Sequence, residues 1–206
     1  MIKLYGHPAS TCTRTVLFAL HETALPYELV LVDIMKGEHK QPAYMARQPF
    51  GQLPALDDEG FKLYESRAMA RYVDEKAGFK LTPKDVQHRA KMEQWISIET
   101  SDFNAAAMTF IYDGVFKRPQ SPEDVKKAAA KLELASSVID HALAESGKPF
   151  LVGEQFSIAD IAFAPYLDYS MMTDAKHIYG NYPQLSAWWN RVSERPSWQQ
   201  IRGTGF

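Results

Sequence analysis

A small α/β domain followed by an all-helical one is the architecture this sequence predicts, and three observations point to it. Short β-prone runs occur only before about residue 77. A segment bearing glycine and proline, Gly78-Phe79-Lys80-Leu81-Thr82-Pro83, then interrupts the pattern. Beyond it, apolar residues recur at helical spacing with no convincing strand. At 206 residues, 46% hydrophobic and 23% charged, the composition is that of an ordinary globular protein. Size scaling buries about 70% of the unfolded surface, enough for a core without disulfides.

In the first part, Lys3-Leu4-Tyr5 and Tyr27-Glu28-Leu29-Val30-Leu31-Val32 read as strands. Between them Val16, Leu17, Ala19 and Leu20 share a helix face, and Leu25-Pro26 closes that helix. This βαβ unit predicts parallel strands with a right-handed crossover. A polar segment from Lys36 to Gln48 follows, containing Pro42. Pro54-Ala55-Leu56 and Phe61-Lys62-Leu63-Tyr64 flank Asp57-Asp58-Glu59-Gly60, an acidic turn ending in glycine that marks a hairpin. Ser66 then stands where it can cap a helix carrying Ala68, Met69, Tyr72 and Val73.

In the second part, Val86 to about Lys117 reads as one long helix, bent near Gly114. Ser121-Pro122-Glu123-Asp124 combines a cap, a proline at the first helical position and acids in the first turn, opening a helix that runs to Gly147. In Phe156-Ser157-Ile158-Ala159-Asp160, Ser157 caps and Asp160 answers as in a capping box. Both are assigned to folding, at about 1 kcal/mol. Pro165 is expected to kink this helix, and a last one runs from Pro183 through Trp188-Trp189 to Glu194. The expected boundaries are therefore a domain over 1–77, a linker over 78–85 and a helical domain over 86–206.

Charge and cysteine content exclude several functions. The net charge is −2, and residues 1–77 and 78–206 each contribute −1, so neither part has the basic surplus that holds nucleic acid. The single cysteine, Cys12, rules out an internal disulfide and a cysteine-based zinc site. The six histidines form no close metal-like pair, and neither a phosphate-cradling glycine loop nor a GxSxG elbow is present. The apolar stretch at Met1-Ile2-Lys3-Leu4-Tyr5 is too short for a signal peptide, and no run is long enough to span a membrane, so a cytoplasmic protein is expected.

Six strings, in order and spacing, resemble the cytosolic glutathione transferases, and the phi-type (plant-like) class most of all. They are Tyr5-Gly6-His7-Pro8-Ala9-Ser10-Thr11-Cys12-Thr13-Arg14, Gly37-Glu38-His39-Lys40, Gln48-Pro49-Phe50-Gly51-Gln52-Leu53-Pro54, Tyr64-Glu65-Ser66-Arg67-Ala68, Phe156-Ser157-Ile158-Ala159-Asp160, and Ala187-Trp188-Trp189 through Arg195-Pro196. The resemblance covers essentially the whole chain. It implies a thioredoxin-like first domain that binds glutathione, a helical second domain that binds an electrophile, and a homodimer. Glutathione enters as a co-substrate, with no metal or other cofactor. The implied activity is detoxifying conjugation of hydrophobic electrophiles, with peroxide reduction open to the same thiolate. A glutathione-dependent isomerase or dehalogenase, or a non-catalytic transferase-like interaction module, remains an alternative, because a fold does not fix a function.

The residues have physical reasons to serve such chemistry. A free thiol with pKa near 8.5 is only about 3% ionised at pH 7, and lowering that value two units takes roughly 2.7 kcal/mol of preferential thiolate stabilisation. A helix N-terminus supplies positive dipole, and a hydroxyl there donates to sulfur. By resemblance Ser10 is that hydroxyl; read on its own it is an N-cap. Thr11 competes for the role; Cys12 reads as a small buried residue, the alternative being a mixed disulfide with glutathione and thiol-transfer chemistry. The resemblance also implies a cis peptide before Pro54, leaving the Leu53 backbone free to pair with the cysteinyl part of glutathione, beside Gln52. Ser66 at a helix start suits the γ-glutamyl carboxylate, and Glu65 the ligand's ammonium group; a plain cap beside a solvated acid is the alternative. His39 and Lys40 offer donors for the glycyl carboxylate, or form an ordinary surface charge run. Met108, Tyr112 and Phe116 recur at i, i+4 and i+8; such a stripe is core or, by resemblance for Tyr112 and Phe116, the electrophile wall. Phe50, by resemblance, keys into a second subunit, or else packs on its own chain.

Overall fold

The computed structural model of the protein describes residues 1–202, and contacts divide the chain into two compact units. The first contains β1 (Ile2–Gly6), α1 (Thr11–Thr23), β2 (Tyr27–Leu31), a 3-10 turn at Glu38–Lys40, α2 (Pro42–Met45), β3 (Ala55–Asp58), β4 (Phe61–Tyr64) and α3 (Ser66–Lys76). The four strands form one sheet in the order β2-β1-β3-β4. β1 and β2 are parallel, as a βαβ connection requires, while β3 runs antiparallel to both β1 and β4. Ile2, Leu4 and Gly6 alternate inward along β1, and α1 contributes Val16, Phe18 and Leu20 to the core with Met69 and Val73 of α3.

The register fixes which chain ends meet. Tyr5 lies opposite both Val30 and Ala55, and Ala55 lies opposite Tyr64. The ends of β1, β2 and β4 and the start of β3 therefore share one edge of the sheet. The first turns of α1 and α3 follow β1 and β4 directly, so they begin at that same edge.

The second unit, Leu81–Arg195, holds α4 (Val86–Ile98), α5 (Asn104–Gly114), α6 (Pro122–Ser146), α7 (Ile158–Ser170), α8 (Lys176–Tyr179) and α9 (Pro183–Ser193). The long helix expected over 86–117 is interrupted earlier than foreseen, by a π-helical turn at Glu99–Phe103 that buries Glu99 and Phe103. Gly114 ends α5, and a Cβ there would stand 2.7 Å from Thr173 Cγ2, so glycine is required by close packing. Ser121 caps α6 by accepting the Asp124 N–H at 3.1 Å, and Gly147 closes it with φ of 61°. Pro165 sits inside α7 without ending it.

Asp160 does more than complete the Ser157 capping box. One carboxylate oxygen accepts the Ser157 N–H and hydroxyl at 2.9 and 3.0 Å; the other accepts the Leu151 N–H at 3.1 Å and the Trp188 indole N–H at 2.8 Å. The carboxyl is fully buried, and burial pushes its pKa up against the four donors that pull it down. The two sequence signatures of this region, Phe156–Asp160 and the tryptophan pair, thus meet on one carboxylate.

A short helix, α10 (Pro196–Ile201), was not foreseen beyond the helix expected to finish at Glu194. The contacts group the segment from Pro196 with the first unit rather than with the helical region expected over 86–206, whose residues 203–206 lie outside the described ones. The reason is Trp198: it is fully buried, its ring lies 5.0 Å from Phe18 of α1, and the Arg14 guanidinium sits 4.7 Å above it. Among the described residues, no helix is long and apolar enough to cross a membrane.

Candidate active site

Three groups from separate segments converge on the sheet edge where α1 and α3 begin. The first is Ser10. It is the N-cap of α1, with extended backbone and an Oγ that accepts the Thr13 N–H at 3.2 Å. Accepting leaves the hydroxyl proton available for donation, so the capping and catalytic readings of Ser10 are compatible. Ser10 is half-buried, whereas Thr11 is only 8% exposed. Cys12, expected to be buried, is half-buried in the first turn of α1. His7 organises the approach: its Nδ1 accepts the Ala9 N–H at 3.1 Å and its carbonyl the Ser10 N–H at 2.9 Å. That assigns the neutral ring's proton to Nε2.

The second group is the turn before β3. The Leu53–Pro54 peptide is cis. A Cβ built on Gly6 would lie 2.7 Å from the Thr13 side chain and 3.3 Å from Pro54 Cβ, so the turn, the end of β1 and the first turn of α1 touch. Gln52 is held by both backbone groups: its N–H donates to Gln48 Oε1 at 3.1 Å, and its carbonyl accepts from the Tyr44 hydroxyl at 2.6 Å. Leu53 differs, since its side chain packs on Val32, Tyr44 and Ala55 while its backbone N–H and C=O enter no hydrogen bond among the described residues.

The third group is the start of α3. Glu65, not Ser66, occupies the N-cap position; Ser66 is the first helical residue. Glu65 has φ of 74° and ψ of 107°, a strained conformation for a residue with a Cβ. The Glu65 side chain makes no capping hydrogen bond, so the positive end of the helix dipole is available to an external anion. Ser66 is 3% exposed, with Oγ accepting from Arg67 at 3.4 Å, while the Glu65 side chain is exposed.

His39 and Lys40 lie on the 3-10 turn that follows β2. His39 Nδ1 is buried without a hydrogen-bond partner among the described residues, and Lys40 Nζ donates to the Phe50 carbonyl at 3.1 Å. Gly51, with φ of 59°, lets this turn approach: a Cβ there would stand 2.8 Å from Lys40 Cδ and 2.9 Å from the His39 carbonyl. Sequence reasoning missed the clamps Tyr44, Gln48 and Gly51. An apolar tyrosine inside the polar run 36–48 was the available signal, and burial pushes its hydroxyl pKa up.

In the helical unit, Tyr112 stands near the end of α5 and Phe116 just beyond it, so the expected single-helix stripe ends at Gly114. The Phe116 N–H still reaches back to the Ile111 carbonyl at 3.0 Å, which keeps the two rings 6.2 Å apart. Phe116 also meets Tyr169 of α7 edge-on at 5.8 Å. Both Tyr112 and Phe116 are half-buried, a partly open aromatic wall rather than core.

Residues 1–75 match the glutathione S-transferase N-terminal domain, and residues 103–196 match the C-terminal domain of the same family. Glutathione S-transferase F12 of Arabidopsis thaliana is 35% identical over 98% of this chain and 97% of its own. The crystal structure of glutathione transferase F7 from Populus trichocarpa superimposes with a TM-score of 0.93 at 33% identity, over all of both chains. Glutathione S-transferase I from maize, solved with an atrazine glutathione conjugate, gives 0.90 at 28% identity, over 98% and 97% of the two chains. The chain matches both domains and, at full length, resembles plant transferases of the phi (F-type) class, so it belongs to the glutathione S-transferase family.

Proposed function

We propose that this protein binds glutathione at the shared edge of the sheet and activates its thiol for attack on hydrophobic electrophiles. The observation that carries the reading is the convergence there of three complementary groups: a capping serine with a proton to donate, an unpaired Leu53 peptide and an uncapped helix N-terminus. The Leu53 N–H and C=O pair with the cysteinyl unit as an added strand would, beside Gln52 and Pro54. That places sulfur toward the first turn of α1, where Ser10 donates and the dipole favours the anion. Ser66 and the α3 N-terminus take the γ-glutamyl carboxylate, Glu65 the ammonium, and His39 with Lys40 the glycyl carboxylate. Catalysis then rests on thiolate stabilisation and positioning, with no protein nucleophile.

The half-buried rings of Tyr112 and Phe116 offer apolar surface to the electrophile. The same thiolate can reduce a peroxide by attacking oxygen. We further propose a cytoplasmic homodimer. Phe50 is 63% exposed, and a groove of about 340 Å³ between α4 and α6, lined by Trp95, Val138 and Ala142, suits an aromatic ring from a second copy. Phe50→Ala should shift the protein toward monomer in analytical ultracentrifugation; an unchanged dimer removes Phe50 from the interface.

Ultraviolet difference titration of the protein with glutathione across pH tests the central reading. A bound-thiol pKa well below 8.5 supports activation. Binding without a shift leaves a glutathione sensor, and absence of binding leaves a scaffold.

A further inference from the structure

A cation stands beside the aromatic wall of the helical unit, on a backbone held by hydrogen bonds. Past the end of α5, Lys117 adopts φ of 54°, a left-handed turn that sends the chain back on itself. Arg118 is thereby returned to Tyr112 twice. Its N–H donates to the Tyr112 carbonyl at 2.8 Å, and its guanidinium lies 5.6 Å from the Tyr112 ring centroid. Its own carbonyl accepts from Gln120 Nε2 at 2.8 Å, and the Gln120 N–H donates to Asp113 Oδ1 at 3.1 Å, so the turn is tied on both sides. Among the described residues no carboxylate pairs with Arg118. An unpaired, planar, five-donor cation thus stands at the margin of the Tyr112–Phe116 surface.

We propose that Arg118 is a specificity-determining residue that selects aromatic electrophiles bearing an anionic substituent. This rests on Tyr112 and Phe116 receiving the electrophile, as inferred above. A ring stacked on that surface presents its substituents to the guanidinium, which donates charge-assisted hydrogen bonds to a carboxylate and weaker ones to a neutral amide of the same shape. The reaction itself is unchanged: the glutathione thiolate forms a C–S bond at the ring carbon, and chloride leaves with the C–Cl electron pair.

The test compares 4-chloro-3-nitrobenzoate with 4-chloro-3-nitrobenzamide as electrophiles, using glutathione and the full chain. The measured quantity is the ratio of their kcat/KM values in wild type, Arg118→Gln, Arg118→Lys and Tyr112→Ala. The proposal expects the carboxylate-to-amide ratio to fall at least fivefold in Arg118→Gln, to recover mostly in Arg118→Lys, and to decline in wild type as salt is raised. A ratio unchanged by Arg118→Gln overturns it, even if both rates drop, because a structural role would lower the two together. If Tyr112→Ala leaves both KM values untouched, the electrophile lies elsewhere and the underlying site assignment fails instead. If wild type turns over 1-chloro-2,4-dinitrobenzene with glutathione yet conjugates neither probe, the proposed selection of anionic aromatic electrophiles is overturned.

Discussion

Replacing Ser10 by alanine should remove two interactions at once, one seen in the structure and one proposed. The first is the cap on Thr13 N–H at 3.2 Å, worth about 1 kcal/mol of stability, or roughly 2–4 °C in Tm for a chain of this size. The second is the proposed hydrogen bond to the glutathione sulfur. Bonds to charged groups contribute about 1.5–3 kcal/mol, which at 1.36 kcal/mol per unit raises the bound-thiol pKa by roughly one to two units. For a bound thiol that titrates near 6.5, a rise of about 1.5 units cuts the ionised fraction at pH 6.5 from about half to about 3%. Turnover with 1-chloro-2,4-dinitrobenzene should therefore fall at least tenfold, while glutathione still binds through Leu53 and the start of α3. Ser10→Gly separates the two effects, because glycine is nearly as good an N-cap: it should recover the stability without the thiolate band. Ser10→Thr should recover both. An unshifted thiol pKa with full turnover in Ser10→Ala would refute the reasoning and move the role to Thr11.

Other perturbations have equally definite outcomes. Glu65→Ala and Ser66→Ala should each weaken glutathione binding in calorimetry by about tenfold, and unchanged affinity in both discredits the start of α3 as the carboxylate site. Asp160→Ala strands the Ser157 N–H and hydroxyl and the Trp188 indole N–H, all buried, together with the half-buried Leu151 N–H, and should cost about 3 kcal/mol in urea unfolding rather than the 1 kcal/mol of a simple cap. Asp58 accepts from Lys76 and from the Tyr72 hydroxyl, each at 2.6 Å, and these hold its carboxyl below the usual carboxylate range. Its contribution is fully present above the unfolded pKa of about 3.9 and lost as pH falls through the lower folded value. The stability gap between wild type and Asp58→Asn should accordingly shrink from pH 6 to pH 3, and a constant gap contradicts the ion pair.

Much of this was legible in the sequence because short-range chemistry fixed it. The hairpin after Asp58, the Ser121 and Ser157 caps and the Gly147 stop depend on neighbours within a few residues, and the parallel pairing of β1 with β2 follows from the single crossover helix α1 between them. What escaped depends on partners distant in sequence or on small shifts of helical phase. The π turn at Glu99–Phe103 changes periodicity by one residue, which a hydrophobic pattern absorbs without trace. Glu65 displaced Ser66 from the cap position because a strained backbone there has no local signature. Tyr44 and Gln48 act on Gln52 only once the loop between α2 and β3 is folded back. Asp160 looked like half of a capping box, since Leu151 and Trp188 come from either side of it in the chain. Trp198 belongs to α1 for the same reason.

That last contact bears on how the protein is made. Phe18 and Arg14 emerge from the ribosome early, but the indole that covers them lies beyond Arg195, after the whole helical unit has been translated. At about 5–20 residues per second the nascent α/β unit waits on the order of ten seconds with that face uncovered. Its completion is thus a late event in biogenesis, and a ribosome that stalls within the helical half leaves the other half unfinished.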